Sequence, residues 1–463
     1  MTNVKSNKYS FFKELKEAIS GSEMDFSTGP LRKAIVLLSI PMVLEVLMES
    51  VFVVVDIFYV SHLGSDAVAA VGLTESIMTI VMALGLGLAT GVTAIISRRF
   101  GEKKYRLASI SAVQAIVAAV AISFVIAVPA ILYSKDLLRL MGASDKVVEI
   151  GWEYTKWMLG GNVVLILLFV NNAIFRSAGD AAVAMRVLWL ANLLNIIIAP
   201  ILIFWLDMGV KGAAIATVCG RGTGVLYQFW LLLNGRNRIK VTVKEMFIFP
   251  KIIWRLLGLS IGATAQNLIV TTSWVFLMRI VASFGSSVVA GYTISIRVLI
   301  FVLLPAWGLS NAASTLVGQS LGAGDARRAE RAVWATGAVN AGLMLVVGMI
   351  LVIFPDFFIK IFITDPTVVA YGADALRIIC YGLVFYSLGM VMVQALNGAG
   401  DTFTPVVINI ICFWVLEIPL AYFLSQTSLN ESGVYWSVAI SESILTILAI
   451  LVFVWGRWKV KKV

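Results

Sequence analysis

Apolar runs long enough to cross a bilayer recur from one end of this chain to the other, and they leave few folds open. Twelve such runs are legible, at roughly 34–60, 68–96, 108–133, 148–172, 185–206, 211–233, 252–283, 286–317, 330–354, 368–396, 403–425 and 433–457. About 20 apolar residues cross the hydrocarbon layer as a helix. Lipid offers no partner to backbone N–H and C=O groups, so a spanning segment is a helix or part of a closed barrel. The short strand alternation of a membrane barrel is absent from the pattern. With 60% hydrophobic and 13% charged residues, a soluble enzyme is excluded. The expected fold class is an all-α integral membrane protein with twelve transmembrane helices.

An internal repeat then divides the runs. Leu38-Ser39-Ile40 returns as Leu259-Ser260-Ile261, Gly101 as Gly322, Gly151 as Gly372, and Ala178-Gly179-Asp180 as Ala399-Gly400-Asp401, always 221 residues on. One spacing held over this distance means two copies of one folded unit. An even number of spans per copy, six, makes both copies enter from the same face, so the repeat is parallel. The expected organisation is an N-terminal segment (1–33), a six-helix lobe (34–233), a cytoplasmic linker (234–251) and a second six-helix lobe (252–457). In the first segment, Phe11, Phe12, Leu15 and Ile19 share one helical face, which suits a short helix lying on the membrane surface, with a disordered leader as the alternative.

The net charge of +10 is a topology signal. The two termini and the even-numbered loops hold 26 Lys and Arg residues, against 5 in the opposite loops. That bias places both termini in the cytoplasm and the chain in the cell membrane. The basic residues never gather with stacking aromatics in a soluble module, so no nucleic-acid partner is expected; membrane lipid is. Cys219, Cys380 and Cys412 all fall inside apolar runs and read as small core residues, without metal-ligand or disulfide spacing. No P-loop and no nucleophile motif is present, so neither an enzyme nor an ATP-driven pump is expected.

Ionisable residues at membrane depth are costly, about 2.5–3.5 kcal/mol each on insertion scales, and each calls for a reason. The first run carries three acids. At about 100° per residue, Glu45, Glu49 and Asp56 project within about 40° of one another, below the helix breaker Pro41. They form a stripe suited to a proton or cation facing a polar cavity between the lobes. The competing reading pairs some of them with buried arginines such as Arg221, Arg279 or Arg297. Arg221 and Glu442 occupy equivalent repeat positions and read as braces, as does Glu75, whereas Glu417 suits either role. Amides at Asn171, Asn172, Asn192, Asn195, Gln266 and Asn397 mark a second polar lining or interhelical glue. His62, the sole histidine, reads as an anchor at a helix end.

These residues carry a resemblance that covers nearly the whole chain. Val55-Asp56-Ile57-Phe58-Tyr59-Val60-Ser61-His62-Leu63-Gly64, Phe175-Arg176-Ser177-Ala178-Gly179-Asp180, Ala395-Leu396-Asn397-Gly398-Ala399-Gly400-Asp401-Thr402 and Glu417-Ile418-Pro419-Leu420-Ala421-Tyr422 resemble segments of the multidrug and toxic compound extrusion (MATE) family, most of all its DinF-like branch. The resemblance implies a V-shaped pair of lobes, alternating access, and secondary antiport that exports organic cations or other amphipathic drugs. The coupling ion would be H⁺ or Na⁺, with no other cofactor, and a single chain would act alone. It places cation coupling on Asp56, with Asn195, Thr217 and Glu49 around it, and a possible Na⁺ at Asp56 and Asn195. Glu45, Phe52 and Gln266 would line the substrate cavity. Ala199 stands where some relatives have a second aspartate, and Phe52 where they have tyrosine, which favours a proton over a hard cation. Val270 and Tyr386 fall where another branch carries acids in its C-terminal lobe. The alternative is a flippase for lipid-linked oligosaccharides or other lipid precursors, built on a related two-lobe plan.

Overall fold

The computed structural model describes residues 12–22, 24–235, 238–242 and 245–461, and every regular element among them is helical. Helix α1 covers residues 12–20. It docks through Ala18 and turns Phe12 and Ile19 outward, while Phe11 lies outside the described residues. The N-terminal half continues with α2 (Leu31–Ser61), α3 (Ser65–Gly101), α4 (Tyr105–Leu132), the short α5 (Ser134–Leu140), α6 (Asp145–Gly160) and α7 (Asn162–Ala178). It ends with α8 (Ala181–Pro200), which runs into a π-helical turn, and α9 (Gly209–Leu233). The second half holds α10 (Pro250–Ala282), α11 (Ser286–Gly322), α12 (Ala326–Ile353), the short α13 (Pro355–Lys360), α14 (Pro366–Tyr381) and α15 (Leu383–Gly398). After it come α16 (Phe403–Asn409), a π-helical stretch (Ile410–Glu417), α17 (Ile418–Ser425) and α18 (Glu431–Trp455).

The repeat is kept to the residue. Adding 221 to the bounds of α3, α4 and α6 returns those of α11, α12 and α14. Local chemistry repeats with it. Ser144 caps α6 by accepting from the Val147 amide, and Asp365 caps α14 by accepting from Thr367 and Val368. The tight turns entering α3 and α11 hold Gly64 at φ 98° and Gly285 at φ 107°, a region that a side chain disfavours.

Ten helices or joined helices are long and apolar enough to cross a membrane singly, and the pair α14–α15, bent by 53°, makes an eleventh. Helix α9, 25 residues long and carrying Lys211 and Arg221, is not among them, so ten or eleven of the twelve expected spans are found among the described residues. Four expectations change. The run at 368–396 is two helices broken before Leu383, and the run at 148–172 likewise contains the α6–α7 junction at Gly161. Helices α5 and α13 were not legible, being too short and too mixed in polarity for a periodic signal. Cys219 is exposed rather than in the core, while Cys380 and Cys412 are buried. Pro41 sits inside α2 without interrupting it.

Between the halves, α2 packs along α11, α10 along α3, and α3 along α11. The equivalent residues Gly101 and Gly322 meet at one end of this seam: a Cβ built on either would stand 2.9 Å from the other's Cα. The hydrogen bonds between the halves gather at the same end. Arg98 donates to the Lys461 carbonyl at 2.9 Å, Gln319 to Ser177 at 2.8 Å, and Arg328 to Phe26 and Gly29. Among the described residues none joins the halves near the far end of α2, where Val51, Val54, Ile57 and Phe58 are exposed. The molecule is therefore shut at its linker end. Gly101→Val is expected to wedge that end apart, since overpacking costs about 1–3 kcal/mol, about a 5- to 150-fold shift in population. A cysteine at buried Ser97, in a background lacking the three native cysteines, should then react faster with a maleimide. An unchanged rate would show that the glycine contact does not set the closure.

Candidate functional site

Each acid of the α2 stripe meets a different surrounding. Glu45, buried, accepts on Oε1 from Arg176 Nη1 of α7 at 2.9 Å and from Asn172 Nδ2 at 2.9 Å. Gln228 of α9 donates to Asn172 Oδ1 at 2.6 Å, which fixes the amide's orientation. One helical turn on, Glu49 accepts from Arg221 Nη2 of α9 at 2.5 Å and from Asn192 Nδ2 of α8 at 3.1 Å. The Arg221 guanidinium also lies over the Phe52 ring, 4.9 Å from its centroid. Both pairs match a buried or half-buried charge with an opposite one, which is what a low-dielectric site demands.

Asp56 is different. It is 7% exposed, and its Oδ1 accepts no hydrogen bond among the described residues. Glu75 of α3, Tyr154 of α6 and Arg221 of α9 lie near enough to feel its charge, and among the described residues Asp56 makes no ion pair. Asn195 of α8 donates to Thr217 Oγ1 of α9 at 3.0 Å, joining the two helices behind α2. The wall beyond them is small and apolar, with Ala199, Ala213 and Ala216 fully buried. The structure thus gives the stripe a graded character. Two acids are tied by arginines, while the third, nearer the Ser61 end of α2, has no ion pair among the described residues; Glu45 Oε2, like Asp56 Oδ1, accepts no hydrogen bond.

The second half shows what the same positions do without charge. Gln266, equivalent to Glu45, donates to Asn397 Oδ1 at 3.0 Å and accepts from Asn397 Nδ2 at 3.1 Å. Asn397 is the equivalent of Arg176. The ion pair of one lobe is an amide pair in the other, and Gln266 has both ends of its amide engaged, with a second bond to the Thr402 carbonyl. Glu417 accepts from Ser273 at 2.8 Å deep in that lobe. His62 holds the Phe58 carbonyl at 2.8 Å at the end of α2, between Phe58 and Phe204 rings.

Sequence reasoning missed Arg176 as the partner of Glu45, because it seemed to belong to the loop after α7. The repeat held the signal: if Glu45 answers Gln266, then Arg176 answers Asn397. Tyr154, fully buried beside Asp56, had no such signal. Among the described residues no group of three or more His, Cys, Asp or Glu could hold a metal ion.

Comparison with known proteins agrees with this architecture. A family model described as MatE matches twice, over residues 41–201 and 263–423. The chain is 27% identical over 445 residues to the probable multidrug resistance protein YpnP of Bacillus subtilis, covering 95% of this chain and 98% of that protein. It superposes with TM-score 0.87 and 27% identity on a MOP superfamily transporter from Pyrococcus furiosus, over 93% of this chain and 96% of that one; the polarity of that protein's binding pocket is described as reversed. The same score and identity relate it to an outward-facing multidrug resistance transporter of this superfamily, over 94% and 98% of the two chains. Two matched halves, a two-lobe helical fold and full-length relatives leave one assignment: the chain belongs to the MatE family of membrane transporters and is not an enzyme.

Proposed function

We propose that the chain exports amphipathic, chiefly cationic compounds in exchange for inward-moving protons, by alternating access between its two lobes. The observation that carries this reading is Asp56, a buried carboxylate with a free oxygen in a lobe whose other two stripe acids are tied to arginines. An exchanger works when one site binds either the coupling ion or the substrate according to which way the lobes open. Asp56 can do this without breaking an ion pair, whereas Glu45 and Glu49 cannot. The coupling ion is a proton because the donor set is poor. Ala199 offers no oxygen, and the Asn195 amide nitrogen is engaged with Thr217 Oγ1.

The shut end carries the linker, which the positive-inside bias places in the cytoplasm. The described state is then the outward-open one, as in the outward-facing relative. Multidrug names among the relatives favour drug export over lipid-precursor flipping. Because Glu45 and Glu49 are neutralised in place, the cavity is less negative than the sequence stripe suggests, so uncharged amphipathic compounds fit beside cations.

The test is export of a cationic dye from proteoliposomes under separately imposed gradients. A proton gradient is expected to drive export, and a Na⁺ gradient at equal pH to leave the dye in place. Export driven by Na⁺ alone would overturn the proton assignment, and uncoupled leakage under both would overturn antiport.

A further inference from the structure

A cavity of about 120 Å³ opens at the shut end between α3, α4 and α10. Arg99 of α3 with Lys251 and Arg255 of α10 stand around it, over an apolar floor of Ile95, Leu107 and Ile252. Arg99 is paired with Glu102 at 2.9 Å. Lys251 and Arg255 have no carboxylate within ion-pair distance among the described residues. Three cations therefore ring a mainly apolar cavity that lies across the joint between the two halves.

The repeat shows what such a place holds elsewhere. Adding 221 to Ile95, Leu107 and Ser111 of the cavity wall gives Leu316, Arg328 and Ala332, and subtracting it from Ile252 and Arg255 gives Leu31 and Ala34. At this second joint the chain's own N-terminal segment fills the space. Ala18 and Phe26 are fully buried in one cluster with Ala34, Leu316 and Ala332. Arg328 donates to the Phe26 carbonyl at 2.9 Å and the Gly29 carbonyl at 2.6 Å. So one joint is plugged by chain whose oxygens satisfy an arginine, while its equivalent is an open pocket with two unpaired cations. The linker does not close it: the Phe247 carbonyl and the Phe249 amide bond Gln114 of α4 instead.

The surroundings identify the missing oxygens. Trp254 is 74% exposed, Phe247 69% and Ile248 63%, an aromatic and apolar rim beside basic residues, as found where a protein meets the lipid headgroup layer. We propose that this cavity binds the phosphate of an anionic phospholipid, which bridges Arg99 of the first half to Lys251 and Arg255 of the second. The acyl chains would leave over the Ile95, Leu107 and Ile252 floor. Such a lipid fastens the joint at the shut end, as the N-terminal segment fastens the other.

The test compares purified wild type with K251A/R255A and K251R/R255K by native mass spectrometry and thermal melting. Each is titrated with phosphatidylglycerol, phosphatidylcholine or inorganic phosphate. Wild type is expected to retain phosphatidylglycerol in preference to phosphatidylcholine and to melt higher with it. K251A/R255A should lose this preference by about tenfold or more, at about one kcal/mol per basic residue near an anionic surface, and K251R/R255K should keep it. Both positions are solvent-facing, so the lipid-free melting point of the alanine variant should match wild type, which separates lost binding from lost folding. Equal phosphatidylglycerol retention in K251A/R255A would overturn the site. A rise in melting with inorganic phosphate as large as with phosphatidylglycerol would overturn the lipid assignment in favour of a free anion.

Discussion

Asp56→Asn is expected to reduce proton-driven dye export to the level of empty liposomes while leaving the protein as stable as wild type, or slightly more so. The two halves of this expectation come from one observation. The Asp56 carboxylate is 7% exposed and its Oδ1 has no hydrogen-bond partner among the described residues. A buried charge without a partner burdens the fold, so replacing it with a neutral side chain of the same shape removes a cost rather than a contact. The same replacement removes the only group on the stripe free to take up and release a proton. Glu45 and Glu49 cannot substitute, because each is bound to an arginine at 2.9 and 2.5 Å. The paired measurements are export under an imposed proton gradient and the melting midpoint in the same lipid. Export near the wild-type rate would remove Asp56 from coupling. Lost export with a large fall in melting midpoint would make Asp56 a structural residue instead.

The parallel repeat and the position of the acids could be read from residues alone, because each depends on local pattern: apolar length, a fixed offset, and 100° per residue along α2. The fates of the acids could not. Glu45 and Arg176 lie 131 positions apart, and Glu49 and Arg221 lie 172 apart. Which arginine reaches which acid depends on how α7, α8 and α9 lean on α2, and amphipathic periodicity carries no such information. For the same reason Arg221 could be matched to the acidic stripe but not to Glu49 within it, and Tyr154 could not be recognised at all. Gln266 shows the limit from the other side. As an amide inside an apolar run it could be a cavity lining or interhelical glue, and the fold gives it a mutual amide pair with Asn397.

That amide pair makes the second large expectation possible. Glu45→Gln leaves the half-buried Arg176 without its counter-charge, and Arg176→Asn leaves buried Glu45 without its own; the second should destabilise the protein by about 3–5 kcal/mol and the first by less. The double variant Glu45→Gln/Arg176→Asn installs in the first lobe the residues that the second lobe already uses at equivalent positions. The helices correspond, since α2 and α7 answer α10 and α15 in the repeat, and Ala181 is the sequence equivalent of Thr402, whose carbonyl Gln266 also reaches. The double variant should therefore recover to within about 1 kcal/mol of wild type, a coupling of several kcal/mol between the two positions. Melting midpoints of all four proteins in one lipid measure the cycle. A double variant no more stable than the singles would mean that the lobes, though alike in helix bounds, do not share side-chain geometry at this level. Export by the double variant then assigns Glu45 its role. If a stable protein with a neutral pair and an intact Asp56 still exports dye, the Glu45 charge serves the scaffold. If export is lost at full stability, the charge serves the substrate.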